Sequence, residues 1–231
     1  MDIFLDTGDL EKIKFFKSFN LIDGVTTNPS LMAKEGITGA ENILKHYVAI
    51  CDAVEGDVSA EVIAVDYEGM IKEGEQLAAL HPQIVVKIPM IKDGIKALKY
   101  FSDRNIKTNC TLIFSAGQAL LAAKAGATYV SPFIGRIDDT GHEGMNLIAE
   151  IMETWARYDV STKVLAASIR HPTHVLQCMQ LGAHTATMPA KIFRQLMKHP
   201  LTDKGLEGFM RDWAEVEAAG EEPTAFTATT S

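Results

Sequence analysis

Ile84-Val85-Val86-Lys87-Ile88-Pro89 is the stretch on which the reading of the fold turns. It is a β-branched run, the composition of a strand, with a lysine in its middle. Alternation puts Val85 and Lys87 on one face and Val86 and Ile88 on the other. Helical patterns flank it at 67–80 and 91–103, and the next apolar runs outward are 58–63 and 107–112. Strand, helix and strand in regular alternation is the pattern of parallel βαβ units. Further out the pattern continues: strand candidates at 2–6, 22–26, 128–133, 164–168 and 184–188, and helical stretches at 9–19, 39–54, 115–125, 144–158 and 172–181. Eight such strands in 231 residues predict an α/β fold closed into a single (β/α)8 barrel, with a doubly wound open sheet as the alternative.

One domain is expected over residues 1–217, with no interdomain linker. Leu206, Phe209, Met210 and Trp213 fall at helical spacing, which predicts an extra amphipathic C-terminal helix, packed on its own barrel or on a neighbouring subunit. Residues 218–231 are rich in Gly, Glu, Pro, Thr and Ser and read as a loose tail.

Composition narrows the partners. Apolar residues make up 47% of the chain, enough for a sizeable core, and the formal net charge is -8. An acidic chain without a basic block is a poor match for nucleic acid or an anionic membrane, although a few arginines can still hold a phosphate. Cys51, Cys110 and Cys178 are odd in number and far apart, which suits free thiols in a reducing cytoplasm. The start turns acidic at once and does not resemble a signal peptide. No apolar run is long enough to span a membrane.

Barrel strands send alternate side chains inward, and active sites lie at their carboxyl ends. Polar residues collect there: Thr26 with Asn28, Asn109 with Thr111, Ser168 with Arg170, Ser131 in a mixed pair with the apolar Phe133, and singly Asp6, Glu61 and Lys87. Buried without partners, each would cost several kcal/mol, on the order of 2–7. Local explanations exist for each. Asp6 could cap a helix, Asn28-Pro29-Ser30 could start one, Asn109 and Thr111 could satisfy backbone groups, and Arg170-His171-Pro172 could be a surface loop. Glu61 and Lys87 could form a structural ion pair. Convergence of all of them on one end of a barrel favours a site. A lysine desolvated in such surroundings loses its proton more readily, and the neutral amine can attack a carbonyl to form an iminium. Arginine cannot replace it. Among seven histidines only His171 and His174 are close, with Pro172 between them, and no metal-ligand motif is present, so no metal and no cofactor are expected.

These residues also carry a resemblance. Asp2-Ile3-Phe4-Leu5-Asp6-Thr7, Val25-Thr26-Thr27-Asn28-Pro29-Ser30, Val85-Val86-Lys87-Ile88-Pro89, Asn109-Cys110-Thr111-Leu112-Ile113-Phe114-Ser115, the segment 130–139 from Val130-Ser131-Pro132-Phe133 to Asp139, and Ala167-Ser168-Ile169-Arg170 resemble the signature segments of the small transaldolases, a family that includes fructose-6-phosphate aldolases. The resemblance runs in family order over about 1–213. It implies a (β/α)8 barrel that moves a dihydroxyacetone unit between sugar phosphates, in the pentose phosphate pathway, without cofactor. It implies that Lys87 is the Schiff-base lysine, Asp6 the acid/base at the C4 hydroxyl, Glu61 the carboxylate working with a water, and Thr111 the residue positioning that water. Asn28, Asn109 and Ser131 match residues holding the dihydroxyacetone hydroxyls, and Thr27 counts with the substrate-binding residues. Arg136, Ser168 and Arg170 match the phosphate group, and Phe133 an aromatic wall. The aldolases typically carry glutamine where Glu61 stands and tyrosine where Phe133 stands, so the resemblance favours transfer over release of free dihydroxyacetone. It also implies a homo-oligomer, a pentamer or decamer. A non-catalytic sugar-phosphate-binding barrel would keep the arginines without needing Lys87, Glu61 and Asp6 together.

Overall fold

The structure is a computed structural model of the chain and describes residues 1–218. It comprises two compact units, Met1–Phe193 and a C-terminal unit that starts at Arg194. The first is a closed barrel of eight parallel strands in sequence order: β1 Asp2–Asp6, β2 Gly24–Thr26, β3 Val58–Glu61, β4 Ile84–Pro89, β5 Thr108–Ile113, β6 Tyr129–Pro132, β7 Lys163–Ala166 and β8 Thr185–Met188. β8 pairs with β1, so the open-sheet alternative falls. The connecting helices are α1 Leu10–Ser18, α2 Pro29–Lys34, α3 Ala40–Ala53, α4 Tyr67–Ala78, α5 Lys92–Ser102, α6 Ala116–Lys124, α7 Ile134–Asp138, α8 Met145–Tyr158, α9 Pro172–Gln180 and α10 Ala190–Leu196.

Helix starts follow local chemistry. Asp9 accepts from the N–H groups of Glu11 and Lys12 at the head of α1, Asp66 from Gly69 at α4, and Ser115 from Gln118 at α6. Each side chain satisfies a backbone donor that the first helical turn leaves free, typically for about 1 kcal/mol. Because Asp9 caps α1, Asp6 is not the cap.

Strand alternation sorts the core into two bodies. Outward-facing Leu5, Val25, Val86, Ile88, Cys110 and Val130 join the shell between sheet and helices. Inward-facing Phe4, Val85, Tyr129, Leu165 and Ala167 form a separate cluster inside the barrel. At about 1.5–3 kcal/mol for each large side chain removed from water, this plug closes the lower barrel and leaves the polar side chains above it. Gly24 makes room for it: a Cβ there would stand 2.6 Å from the Phe4 ring.

Some elements differ from expectation. β2 begins at Gly24 rather than at residue 22, and β7 ends at Ala166, where the chain prepares a turn through Ser168 at φ +60°. Three short helices, α2, α7 and α10, lie outside the helical stretches expected from periodicity, although Asn28-Pro29-Ser30 marks a candidate start for α2; at five to seven residues they hold too few turns for periodicity to register. In the C-terminal unit, α11 runs over Pro200–Ala218, with Leu206, Phe209, Met210 and Trp213 exposed. Most of the expected tail, 219–231, lies outside the described residues. Cys51, Cys110 and Cys178 are free and buried, and burial pushes each thiol up to about 12. Among the described residues no helix is long and apolar enough to cross a membrane.

Candidate active site

Parallel register sets the polar side chains of neighbouring strands side by side. Asp6 pairs with Thr26, Glu61 with Lys87, and Lys87 with Asn109. Of these, Asp6, Thr26 and Lys87 line a cavity of about 400 Å³ at the carboxyl ends of the strands. Nine of the residues singled out in the sequence line it: Asp6, Thr26, Asn28, Lys87, Ser131, Phe133, Arg136, Ser168 and Arg170. Glu61, Thr27, Asn109 and Thr111 do not; they stand behind the wall and hold it.

Lys87 is 5% exposed. Its Nζ lies 2.9 Å from Glu61 Oε2 and donates to the Thr27 carbonyl at 3.1 Å. The ion pair weighed from sequence therefore forms, and it forms on the cavity wall. Thr27 acts through its backbone, while its hydroxyl is used by the Ser59 carbonyl at 2.7 Å. Glu61 also borders a second, mostly apolar cavity between α2, α3 and α4, of about 470 Å³.

Asn109 is fully engaged: its Oδ1 accepts from Ser131 Oγ at 2.6 Å and its Nδ2 donates to Ser59 Oγ at 3.2 Å. That bond fixes the Ser131 hydroxyl at the cavity edge. The Thr111 hydroxyl is buried with no hydrogen-bond partner among the described residues, a position that costs about 1–3 kcal/mol unless something accepts or donates there. Next to it Leu112 takes φ +60° at a register shift in β5, local strain of the kind that collects at functional sites. Asn28 caps α2 through Oδ1, which accepts from Leu31 N–H at 2.9 Å, and this leaves its Nδ2 hydrogens for the cavity. The helix-start explanation and the binding role are thus compatible.

Asp6 receives the Thr26 hydroxyl at 2.7 Å. Burial pushes its carboxyl above the usual carboxylate range; Lys87, the Thr26 bond and Lys34 oppose this, and Glu61 adds to it. Thr26 Oγ1 is also 2.6 Å from Thr187 Oγ1. A hydroxyl has one proton. With that of Thr26 given to Asp6, Thr187 donates to Thr26, making a three-member relay across β8, β2 and β1. Thr187 and Lys34 line the cavity and were not singled out in the sequence. Thr187 hides among the β-branched residues of an ordinary strand, and Lys34 ends a short helix.

The cations lie after β6 and β7. Arg136 sits with its guanidinium 4.9 Å from the Phe133 ring centre, a cation–π contact, and forms no ion pair among the described residues. Arg170 Nη2 pairs with Asp139 Oδ2 at 2.6 Å. The turn is pinned by Ile134 and Gly135, whose N–H groups donate to the carbonyls of Ala167 and Ser168, each at 3.0 Å. No group of three or more His, Cys, Asp or Glu side chains is placed to hold a metal among the described residues.

A buried lysine, a half-buried carboxyl and two arginines around one barrel mouth meet their counterpart in sequence comparison: the profile of the transaldolase/fructose-6-phosphate aldolase family matches residues 3–220. The chain belongs to that family. It is 62% identical over 216 residues to a "Probable transaldolase" of Phocaeicola vulgatus, covering 94% of this chain and 99% of that one. It is 60% identical to the "Probable transaldolase" of Cytophaga hutchinsonii, with the same coverage. A third of that name, from Flavobacterium psychrophilum, is 62% identical over 213 residues, covering 92% and 98%. Among solved structures, inosine 5'-monophosphate dehydrogenase from Legionella pneumophila superposes with a TM-score of 0.58 at 12% identity, over 83% of this chain and 58% of that one. That likeness concerns the barrel fold alone. Family membership agrees with the resemblance drawn from the signature segments, each of which contributes to this barrel mouth.

Proposed function

We propose that the chain is a transaldolase that carries dihydroxyacetone on Lys87 as a Schiff base. The observation that supports this most is the placement of Lys87: one buried amine on the wall of a cavity whose other walls carry Asp6 and two arginines. In the resting state Lys87 is paired with Glu61. Transfer of its proton to Glu61 frees the lone pair, which attacks C2 of a ketose phosphate. The carbinolamine loses water, with Glu61 returning the proton to the departing hydroxyl, and an iminium remains. Thr111, whose hydroxyl lacks a partner among the described residues, holds the water of this step and of the final hydrolysis. Asp6 accepts the C4 hydroxyl proton as the C3–C4 bond breaks. An aldose phosphate leaves, and an enamine stays on Lys87. Attack of the enamine on an incoming aldehyde, with Asp6 returning the proton, reverses the step on a new acceptor.

Asn28 and Ser131 hold the hydroxyls of the three-carbon unit, and Asn109 positions Ser131. Arg136, Ser168 and Arg170 take the phosphate, which sets the register of the sugar against Lys87. The substrates of this reading are fructose 6-phosphate with erythrose 4-phosphate, and the products sedoheptulose 7-phosphate with glyceraldehyde 3-phosphate. The exposed apolar row on α11 supports self-assembly, which light scattering at micromolar concentration tests; a monomer would refute it. Borohydride reduction in the presence of fructose 6-phosphate, followed by peptide mass spectrometry, tests the mechanism. A reduced three-carbon adduct on Lys87 is expected. An adduct on another lysine, or none, refutes it.

A further inference from the structure

His171 and His174 were the one close histidine pair in the sequence, and the mechanism uses neither. The structure puts their rings 3.7 Å apart between centres and buries His174 to 3% exposure directly behind the phosphate turn. Both nitrogens of His174 are engaged. The backbone N–H of Arg170 donates to Nδ1 at 3.3 Å. Nδ1 is therefore an acceptor and bears no proton, so the ring proton sits on Nε2. Nε2 lies 3.0 Å from Asp138 Oδ2, and the other oxygen of Asp138 accepts from Gly144 N–H at 2.8 Å. One chain of bonds thus runs from the first residues before α8, through α7, to the backbone of Arg170.

We propose that neutral His174 is a positioning residue for the phosphate site, holding the Arg170 turn through Nδ1, and that its protonation releases that turn. The inference rests on the assignment of Arg170 to the substrate phosphate. A proton on Nδ1 would face the Arg170 N–H donor to donor, with no acceptor between the two hydrogens. Ile134 and Gly135 hold the Ala167 and Ser168 carbonyls of the turn, but the Arg170 N–H itself rests on His174 Nδ1. The Arg170 guanidinium is half exposed, and its partner Asp139 is more exposed still.

The groups facing the ring come from each element around it: Asp138 on α7, Glu143 in the turn before α8, and His171 at the head of α9. Burial is the largest influence and holds His174 below the ordinary imidazole value; His171 adds to this, while Asp138 and Glu143 oppose it. The folded protein therefore keeps the ring neutral at neutral pH. The unfolded chain binds this proton more readily, so folding stability falls as pH drops from about 6.5 towards the folded value.

The test measures half-saturation of borohydride-trapped imine with two ketones: fructose 6-phosphate, and dihydroxyacetone, which lacks the phosphate. His174→Gln keeps a donor towards Asp138 but offers nothing at Nδ1. His174→Asn places an oxygen near Nδ1 and does not titrate. At pH 7.5 His174→Gln is expected to weaken fructose 6-phosphate about tenfold, with dihydroxyacetone unchanged, and His174→Asn to restore most of the loss. Between pH 7.5 and 5.5 the wild type should lose more affinity for fructose 6-phosphate than His174→Asn does; titration of the sugar phosphate itself is common to both. Arg170→Ala serves as the reference. If it weakens fructose 6-phosphate selectively while His174→Gln does not, the inference fails and the phosphate assignment stands. If Arg170→Ala weakens both ketones equally, the assignment fails and takes the inference with it. Parallel pH profiles of wild type and His174→Asn also overturn the role of His174, whether or not His174→Gln folds.

Discussion

Gly135→Ala adds one methyl group to α7 and removes no polar atom, yet it should disable the phosphate site. A Cβ at Gly135 would stand 2.3 Å from the Ser168 carbonyl oxygen, 2.5 Å from Arg170 Cγ and 2.6 Å from Arg170 Nε. Uncharged contacts settle at about 3.5–4.0 Å, so the Ser168–Arg170 turn must retreat by roughly 1 Å. Misplacement on that scale costs on the order of 100-fold where a substrate must be held in register. Global stability should change little. Overpacking costs about 1–3 kcal/mol, and replacing glycine by alanine inside a helix returns about 1 kcal/mol. The expected result is a rise of about 100-fold in KM for fructose 6-phosphate, with dihydroxyacetone trapped on Lys87 as in the wild type and a melting temperature within a few degrees. A folded Gly135→Ala protein with unaltered KM would show that the Ser168–Arg170 turn does not hold the phosphate.

Other expectations follow from the same geometry. Asp6→Asn should abolish cleavage yet stabilise the fold at neutral pH, because it removes a carboxylate whose burial raises its protonation range. Folded Asp6 holds its proton more tightly than the unfolded chain does, so the wild type should lose stability as pH rises from the ordinary carboxylate range through the folded value. Melting curves of the asparagine variant should lack that slope; an unchanged slope would contradict the account. Thr26→Val removes the hydroxyl donated to Asp6 and should move the acid limb of the kcat profile to higher pH, and Thr187→Val should move it the same way by less. An acid limb unmoved in both variants would dissolve the relay. Phe133→Tyr, which retains the ring under Arg136 and introduces a proton donor, should raise release of dihydroxyacetone relative to transfer, measured as product ratio with and without erythrose 4-phosphate. Equal ratios in both proteins would remove Phe133 from the choice between the two reactions.

Alternation made the closed barrel and much of its mouth legible. Lys87 stood out because an ammonium in a β-branched run needs a reason, and Asp6, Asn28 and Arg170 because they end such runs. Register was the missing variable. Thr187 reads as a common strand residue until parallel pairing and barrel closure bring β8 beside β1, where its hydroxyl meets Thr26. His174 shows only its spacing from His171 in the sequence; its partner Asp138, and Gly144 which bonds Asp138 in turn, lie thirty or more residues away in the chain. Gly135 carries no signal at all, since its meaning is the space it leaves for Ser168 and Arg170. Thr27, Asn109, Thr111 and Glu61 were grouped with the cavity residues, and the distinction between lining a wall and supporting it depends on which atoms the neighbouring strands already occupy.

The three deeply buried thiols have a practical consequence for anyone handling this protein. A thiol held at about 12 carries almost no thiolate at neutral pH, and all three are shut away from solvent. Maleimides and iodoacetamide should leave these three thiols unmodified in the native chain, with no need to strip its own cysteines first. A cysteine introduced at Lys34, on the cavity rim, would then be the single addressable thiol on each native barrel, and a fluorophore placed there would report arrival of a sugar phosphate without competing labels.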